Sequence, residues 1–355
     1  MSFLPPLPPS LDAALRDADA SQPAHRWAAA LRLREVEDDR RPEALEALRK
    51  LQADPVGPIR AAAMEALGAI GEIADRELLL RGLEDEHQEV RRAAVHALAR
   101  IGEQRCWDAL LEALACGPED LREAVIIALV EHAPRGIPHA AEVIAACLLD
   151  ADAAIRATAA QALGDLGSQG YRDLLAPLLE DENPEVALAA ALALSDLEDP
   201  RGSATLIAAL EGPFALEAAL ALYRSGTAEA IAPLARRMPG ALGSLMLRAA
   251  IGGALHRLGD PRGEEALRTV LRAWRADGRG LAVRIVGEAR IASLLGELIA
   301  LVRRPRGVDP GTLALSLSRF EGHPEAAAAL AALIARDGPA VDPALGLPQD
   351  APKSS

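Results

Sequence analysis

The chain has 355 residues, 50% of them hydrophobic but only 2% aromatic, so its core must be built from small and branched aliphatic side chains. Its formal net charge is −14, from 52 acidic and 38 basic residues, and such a surface repels a polyanion, which argues against a general nucleic-acid binder. No apolar run is long enough to span a bilayer, Cys106, Cys116 and Cys147 lack CxxC spacing, and the start, MSFLPPLPPS, has no secretory pattern; a cytoplasmic protein without membrane association is expected.

Residues 1–10 are proline-rich and read as an irregular arm. Residues 11–53 read as a divergent N-terminal capping repeat that contains Trp27 and an outer helix over 44–51. Regular repeats follow over 54–259. Segments beginning at Ile59, Val90, Leu121, Ile155, Val186, Phe214 and Leu247, spaced 28 to 34 residues apart, each place an Ala-Leu pair at offsets seven and eight, from Ala66-Leu67 to Ala254-Leu255. A period of that size is one helix–turn–helix unit, which buries its faces only by stacking on its neighbours. In the clearest copy, 74–83 is an outer helix, EDEHQE a polar turn, and 90–101 an inner helix with Val90, Ala94, Leu98 and Ile101 on one stripe. Gly71, Gly102, Gly167, Gly226 and Gly259 recur at offset twelve as stops, and Gly102 suits the left-handed conformation that ends a helix. Residues 260–337 read as divergent, arginine-rich capping repeats with long helices over 262–275 and 281–302 and an alanine-rich helix over 325–336; 338–355 read as a disordered tail. The fold class expected is all-α: an α-solenoid of about nine helical pairs in a right-handed superhelix.

A second regularity is an acid five residues before the anchor and an arginine one after it: Asp54 with Arg60, Asp85 with Arg91, Asp150 with Arg156. Asp181 keeps the acid, but Ala187 replaces the arginine. Aspartate at a helix start favours the dipole and caps free amides, and stacked arginines would form a structural ladder of ion pairs. The combined pattern, written at Asp85, Val90, Arg91, Ala94, Leu98, Ile101 and Gly102, resembles the HEAT-type repeat in the short bacterial variety that also occurs in phycobilisome lyases, clearly over 25–260 and weakly over 261–335. That resemblance specifies a fold better than a function. The class includes scaffolds, transport and assembly factors, bilin-attaching lyases and a DNA glycosylase branch.

Between Arg262 and Arg306, ten arginines face five acids, so this stretch carries +5 against −19 for the remainder. Arg272, Trp274, Arg275, Arg279, Arg284, Arg303, Arg304 and Arg306 are therefore the candidate partner-binding residues, for a protein partner with an acidic surface. Catalytic residues, metal ligands and cofactors are not expected, because the GxxxxGK[ST], GxSxG and HExxH signatures are missing. His132, His139 and Cys147 flank a Pro-rich turn and are weighed as a metal site against ordinary turn and surface roles; His87 and His96 show no carboxylate geometry tying them together. Trp27, Trp107 and Trp274 read as packing or capping residues, and Cys106 beside Trp107 as a weak pointer to bilin attachment. The leading function is a non-enzymatic protein-interaction scaffold or adaptor, binding on its concave face or arginine patch. The alternatives are a lyase-like or small-ligand enzyme and a nucleic-acid binder of the glycosylase type.

Overall fold

The computed structural model describes residues 10–132, 139–240 and 242–338. The expected arm up to residue 9, the Pro-rich turn at 133–138 and the tail from 339 onward lie outside the described residues. Two compact units divide between Leu174 and Leu175. Among the described residues there are α-helices and short 3-10 turns and no strand.

Unit 1 runs through α1 (Leu11–Asp17), α2 (Pro23–Leu33), α3 (Arg41–Leu51), α4 (Gly57–Ile70), α5 (Arg76–Gly82), α6 (Gln88–Ile101), α7 (Gln104–Cys116), α8 (Glu119–His132), α9 (Ala140–Ala146) and α10 (Ala153–Asp165). The short α11 (Arg172–Leu175) reaches the boundary, and unit 2 continues with α12 (Pro184–Asp196), α13 (Ser203–Ala209), α14 (Ala215–Ser225), α15 (Ile231–Arg237) and α16 (Leu245–Arg257). It ends with α17 (Arg262–Arg272), α18 (Arg279–Glu288), α19 (Leu295–Arg303), α20 (Pro310–Ser318) and α21 (Pro324–Asp337). Odd and even helices pair as outer and inner layers, so ten pairs and a final helix stand among the described residues where about nine pairs are expected. Within each unit an inner helix packs on its own outer helix and on the next inner helix: α2 on α4, α4 on α6, α6 on α8 and α8 on α10, then α12 on α14, α14 on α16, α16 on α18 and α18 on α20.

The Ala-Leu pairs explain that stacking. All seven are buried, none more than 3% exposed. The leucine fills the layer between inner and outer helices, while the alanine permits the close approach of successive inner helices. The stop glycines act in two ways. Gly102 is left-handed (φ 68°), whereas Gly71 is extended and is required by space, since a Cβ there would lie 2.1 Å from the Leu67 carbonyl oxygen.

Three boundaries differ from the sequence expectation. The outer helix of the clearest repeat begins as a 3-10 turn at Ile73–Asp75 and becomes α-helical only from Arg76. The helix expected over 262–275 stops at Arg272, and the one expected over 281–302 is two, α18 and α19, parted at Arg290 (φ 50°). At the first stop, Arg279 donates to the Ala273 and Arg275 carbonyls, satisfying acceptors that the end of α17 leaves without helical partners. The arginine-rich region is therefore built as further helical pairs.

Candidate partner-binding site

The arginines one residue after each anchor lie at the start of an inner helix, and each points back over the preceding turn. Arg60 donates to the Asp54 carbonyl at 2.8 Å, Arg91 to that of Asp85 at 2.9 Å, and Arg156 to that of Asp150 at 2.9 Å. The carboxylate partners of Arg60 and Arg91 belong to the next repeat. Arg60 forks onto both Asp85 oxygens at 2.8 Å, and Arg91 reaches Asp120 at 2.7 Å. Asp54, Asp85 and Asp150 each accept from the backbone N–H two residues on, that of Val56, His87 and Asp152 respectively. Arg26, which forks onto Asp54, and Arg122, which meets Asp150, complete the row. The sequence reading missed Asp120 because it stands one residue before the anchor Leu121 instead of five; Gly117 and Pro118 shorten that turn.

These bridges are partly buried, and the Arg60 guanidinium beside Asp85 holds that carboxyl below the ordinary aspartate value. Arg26 does the same for Asp54. A depressed folded-state pKa contributes stability that is complete above the unfolded value, near 4, and is lost as pH falls through the folded one. Unit 1 should therefore weaken as acid protonates Asp54 and Asp85. In Asp85→Asn, urea midpoints should be lower at neutral pH and fall less between pH 7 and pH 3 than in the parent chain. Arg91→Ala leaves the Asp120 carboxylate with its ion pair removed, and should cost about 1–3 kcal/mol in chemical denaturation while leaving partner capture unchanged.

The candidate partner-binding residues fall into two kinds. Trp274 is 88% exposed on the turn after α17, which corrects its expected packing role. Arg272, Arg303, Arg304 and Arg306 line an open cleft of about 570 Å³ between α17, α19 and the turn that follows, with Leu271, Ile299 and Leu301 as its apolar floor. One carboxylate, Glu297, stands in this cleft, and Arg272 engages it at 2.6 Å. Arg284 lies outside it, 4.0 Å from Glu288. Arg275 donates to the Gly243 carbonyl at 2.6 Å, tying the Trp274 turn to the turn before α16. Arg279 is a correction: it is 0% exposed and touches no solvent, so it is a rivet of the fold and unable to contact a partner. Its two terminal nitrogens hold the carbonyls of Ala273, Arg275 and Arg306.

The other expected residues do not gather. Cys106 is buried and Cys116 exposed, and burial pushes the Cys106 thiol pKa up, which makes it a poor attachment point. His139 starts α9 next to Glu142 and His132 lies beside Glu131, with Cys147 half-buried at the end of α9. His87 and His96 meet different carboxylates: His87 lies 3.6 Å from Asp85, and His96 reaches across to Glu131 at 3.4 Å. His96 and Glu131 belong to a second hollow of about 550 Å³ over the inner helices of unit 1, where Arg34 and Arg100 stand among Glu35, Glu65 and Glu131. Trp107 is buried and Trp27 half-exposed.

Residues 51–130 and 140–216 match the family model for HEAT repeats. No curated protein matches the chain. Among solved structures it is similar to importin beta, with a TM-score of 0.50 and 14% identity over 93% of this chain and 54% of that one, so it spans about half of importin beta. It is also similar to Escherichia coli YibA (TM-score 0.46, 15% identity, 86% of this chain and 98% of that one). A further likeness is to the CpcE and CpcF complex of a Nostoc phycocyanin lyase (TM-score 0.34, 20% identity, 76% and 97%). At such identities the likeness concerns the fold. With buried Ala-Leu pairs repeating through stacked helical pairs, the chain is an all-α solenoid whose residues 51–130 and 140–216 are HEAT repeats.

Proposed function

We propose that the chain is a non-enzymatic scaffold that holds a protein partner on the arginine-lined cleft of unit 2. The observation that carries this reading is the cleft's composition: four arginines face one already engaged glutamate over an apolar floor, with the exposed Trp274 on an adjoining turn. Arginine and tryptophan are the side chains most enriched where binding energy concentrates, because each combines a large apolar area with directional donors. HEAT-repeat solenoids present extended surfaces of this kind, and the helical pairs of unit 2 spend their interior on stacking, which leaves turns and helix edges for contact.

The test is site-specific photo-crosslinking in cells that express the full chain. A photoreactive residue at position 303 should yield a discrete adduct with one protein, and the same residue at position 105, exposed on α7 of unit 1, should not. Adducts from neither position, or equally from both, would remove the cleft as the contact surface.

A further inference from the structure

The aspartate–arginine row has a gap at α18. Arg279 occupies the position that Arg26, Arg60, Arg91 and Arg156 occupy in unit 1: it begins an inner helix and donates to the carbonyl six residues back, here that of Ala273. In unit 1 the same guanidinium goes on to a carboxylate of the following repeat, 25 residues ahead for Arg60 and 29 for Arg91. Arg279 meets residue 306, 27 ahead, and that residue is an arginine, which offers its backbone carbonyl. A fully buried cation thus has no carboxylate in hydrogen-bond contact, Asp277 acting on it only from a distance, and its Nε, also buried, has no hydrogen-bond partner. Where the pattern of unit 1 would place an acid, this repeat carries a like charge, so the excess of positive charge at the end of the array is not neutralised from within.

The surroundings accentuate the deficit. Arg303 and Arg304 are exposed and carry no ion pair among the described residues, and Arg306 has only the Arg272 carbonyl, at 3.3 Å. Arg272 neutralises Glu297 and leaves no acid of the cleft for the other three. Two side chains on the adjoining turns are apolar and bare: Leu242 is 90% exposed and Trp274 88%. Their turns are fixed to one another by Arg275, which donates to the Leu242 and Gly243 carbonyls, and to the Arg306 turn by Arg279. The ridge is therefore held in place before anything binds, which reduces the ordering cost of binding.

We infer that the cleft takes an acidic linear segment of the partner, whose carboxylates supply in trans the charge that the last repeats lack at Arg303, Arg304 and Arg306, and whose apolar residue rests on Trp274. This rests on the scaffold reading above and narrows it to one kind of occupant. A segment is favoured over a folded acidic face because the apolar floor lies inside a cleft between helices, where an extended chain or one helical turn can enter. Carboxylates there would meet exposed guanidiniums free to make charge-assisted hydrogen bonds, an attraction that salt screens.

The probe is a fluorescein-labelled peptide of glutamates with interspersed leucines, titrated into the full-length chain at low salt. We expect saturable binding that weakens as salt rises, and a loss of about tenfold or more in affinity in Arg303→Gln/Arg304→Gln, both exposed positions whose helical content is checked by circular dichroism. Trp274→Ala should weaken the leucine-containing peptide and leave a peptide of glutamates alone unaffected. Inorganic phosphate at millimolar concentration should fail to displace the peptide; displacement would reduce the site to a simple anion trap and overturn the inference. Equal binding of a peptide with lysine in place of glutamate, or undiminished binding by the double variant, would also overturn it. Should the peptide fail while the crosslink from position 303 persists, the scaffold reading survives and the acidic segment does not; loss of both removes both.

Discussion

Arg279→Glu should unfold unit 2 under conditions in which Arg304→Glu leaves its melting unchanged. Arg279 is wholly buried, and its neighbours are three carbonyl oxygens, from Ala273, Arg275 and Arg306. Burial, with Arg306 nearby, pushes its pKa down, yet a guanidinium starts so high that it keeps its charge near neutrality. A carboxylate in the same place would face acceptors with no proton to give. Leaving a buried charge uncompensated costs about 3–5 kcal/mol, and each carbonyl that loses its donor adds about 1–3 kcal/mol, without strict additivity. Against a typical domain stability of about 5–15 kcal/mol, that is enough to remove the cooperative transition. Arg304 is exposed, so reversing its charge changes the field of the cleft and little else. Urea unfolding followed by circular dichroism decides the matter: a midpoint for Arg279→Glu close to the parent's would mean that the side chain is not held as described.

The contrast shows where sequence reasoning stops. The helical pairs were legible because the repeat states them seven times, and each Ala-Leu pair has one physical solution, burial in a seam between helices. The aspartate–arginine regularity was legible too, but its direction was not: pairing Asp85 with Arg91 follows the sequence, whereas the carboxylate of Asp85 pairs with Arg60 of the preceding repeat. Contacts between repeats have no signature at a single offset, and Asp120, shifted by a shortened turn, escaped for that reason. In the C-terminal region charge counting treated the arginines alike. Arg279 is buried, Arg272 is paired, and Arg303 and Arg304 are left in the cleft, a distinction that depends on which arginine follows a helix start and what stands one repeat ahead. Trp274 was misjudged because the helix expected over 262–275 would have carried it; α17 ends at Arg272, and the indole falls on a turn.

Gly263→Ala and Gly296→Ala should move stability in opposite directions, although both place alanine near the start of a helix. Intrinsic propensity favours alanine by about 0.8–1.0 kcal/mol at each, since glycine loses more backbone freedom on folding. At Gly296, in α19, a Cβ would meet nothing within 4 Å, so that preference should appear as a gain of up to about 1 kcal/mol. At Gly263, in α17, a Cβ would lie 2.3 Å from the backbone nitrogen of His256, 2.6 Å from the Gly252 carbonyl oxygen and 2.7 Å from the His256 Cα. All three are main-chain atoms of α16, which cannot swing aside as a flexible side chain would. The two helices must separate, and α16 is the inner helix on which α14 and α18 also pack, so the displacement passes to both seams. Overpacking typically costs about 1–3 kcal/mol and more where backbone must shift, which outweighs the propensity gain and leaves Gly263→Ala less stable by roughly 2 kcal/mol. Equilibrium urea unfolding of the two variants beside the parent reads the sign directly; a stabilised Gly263→Ala would show that α16 and α17 do not touch through their backbones.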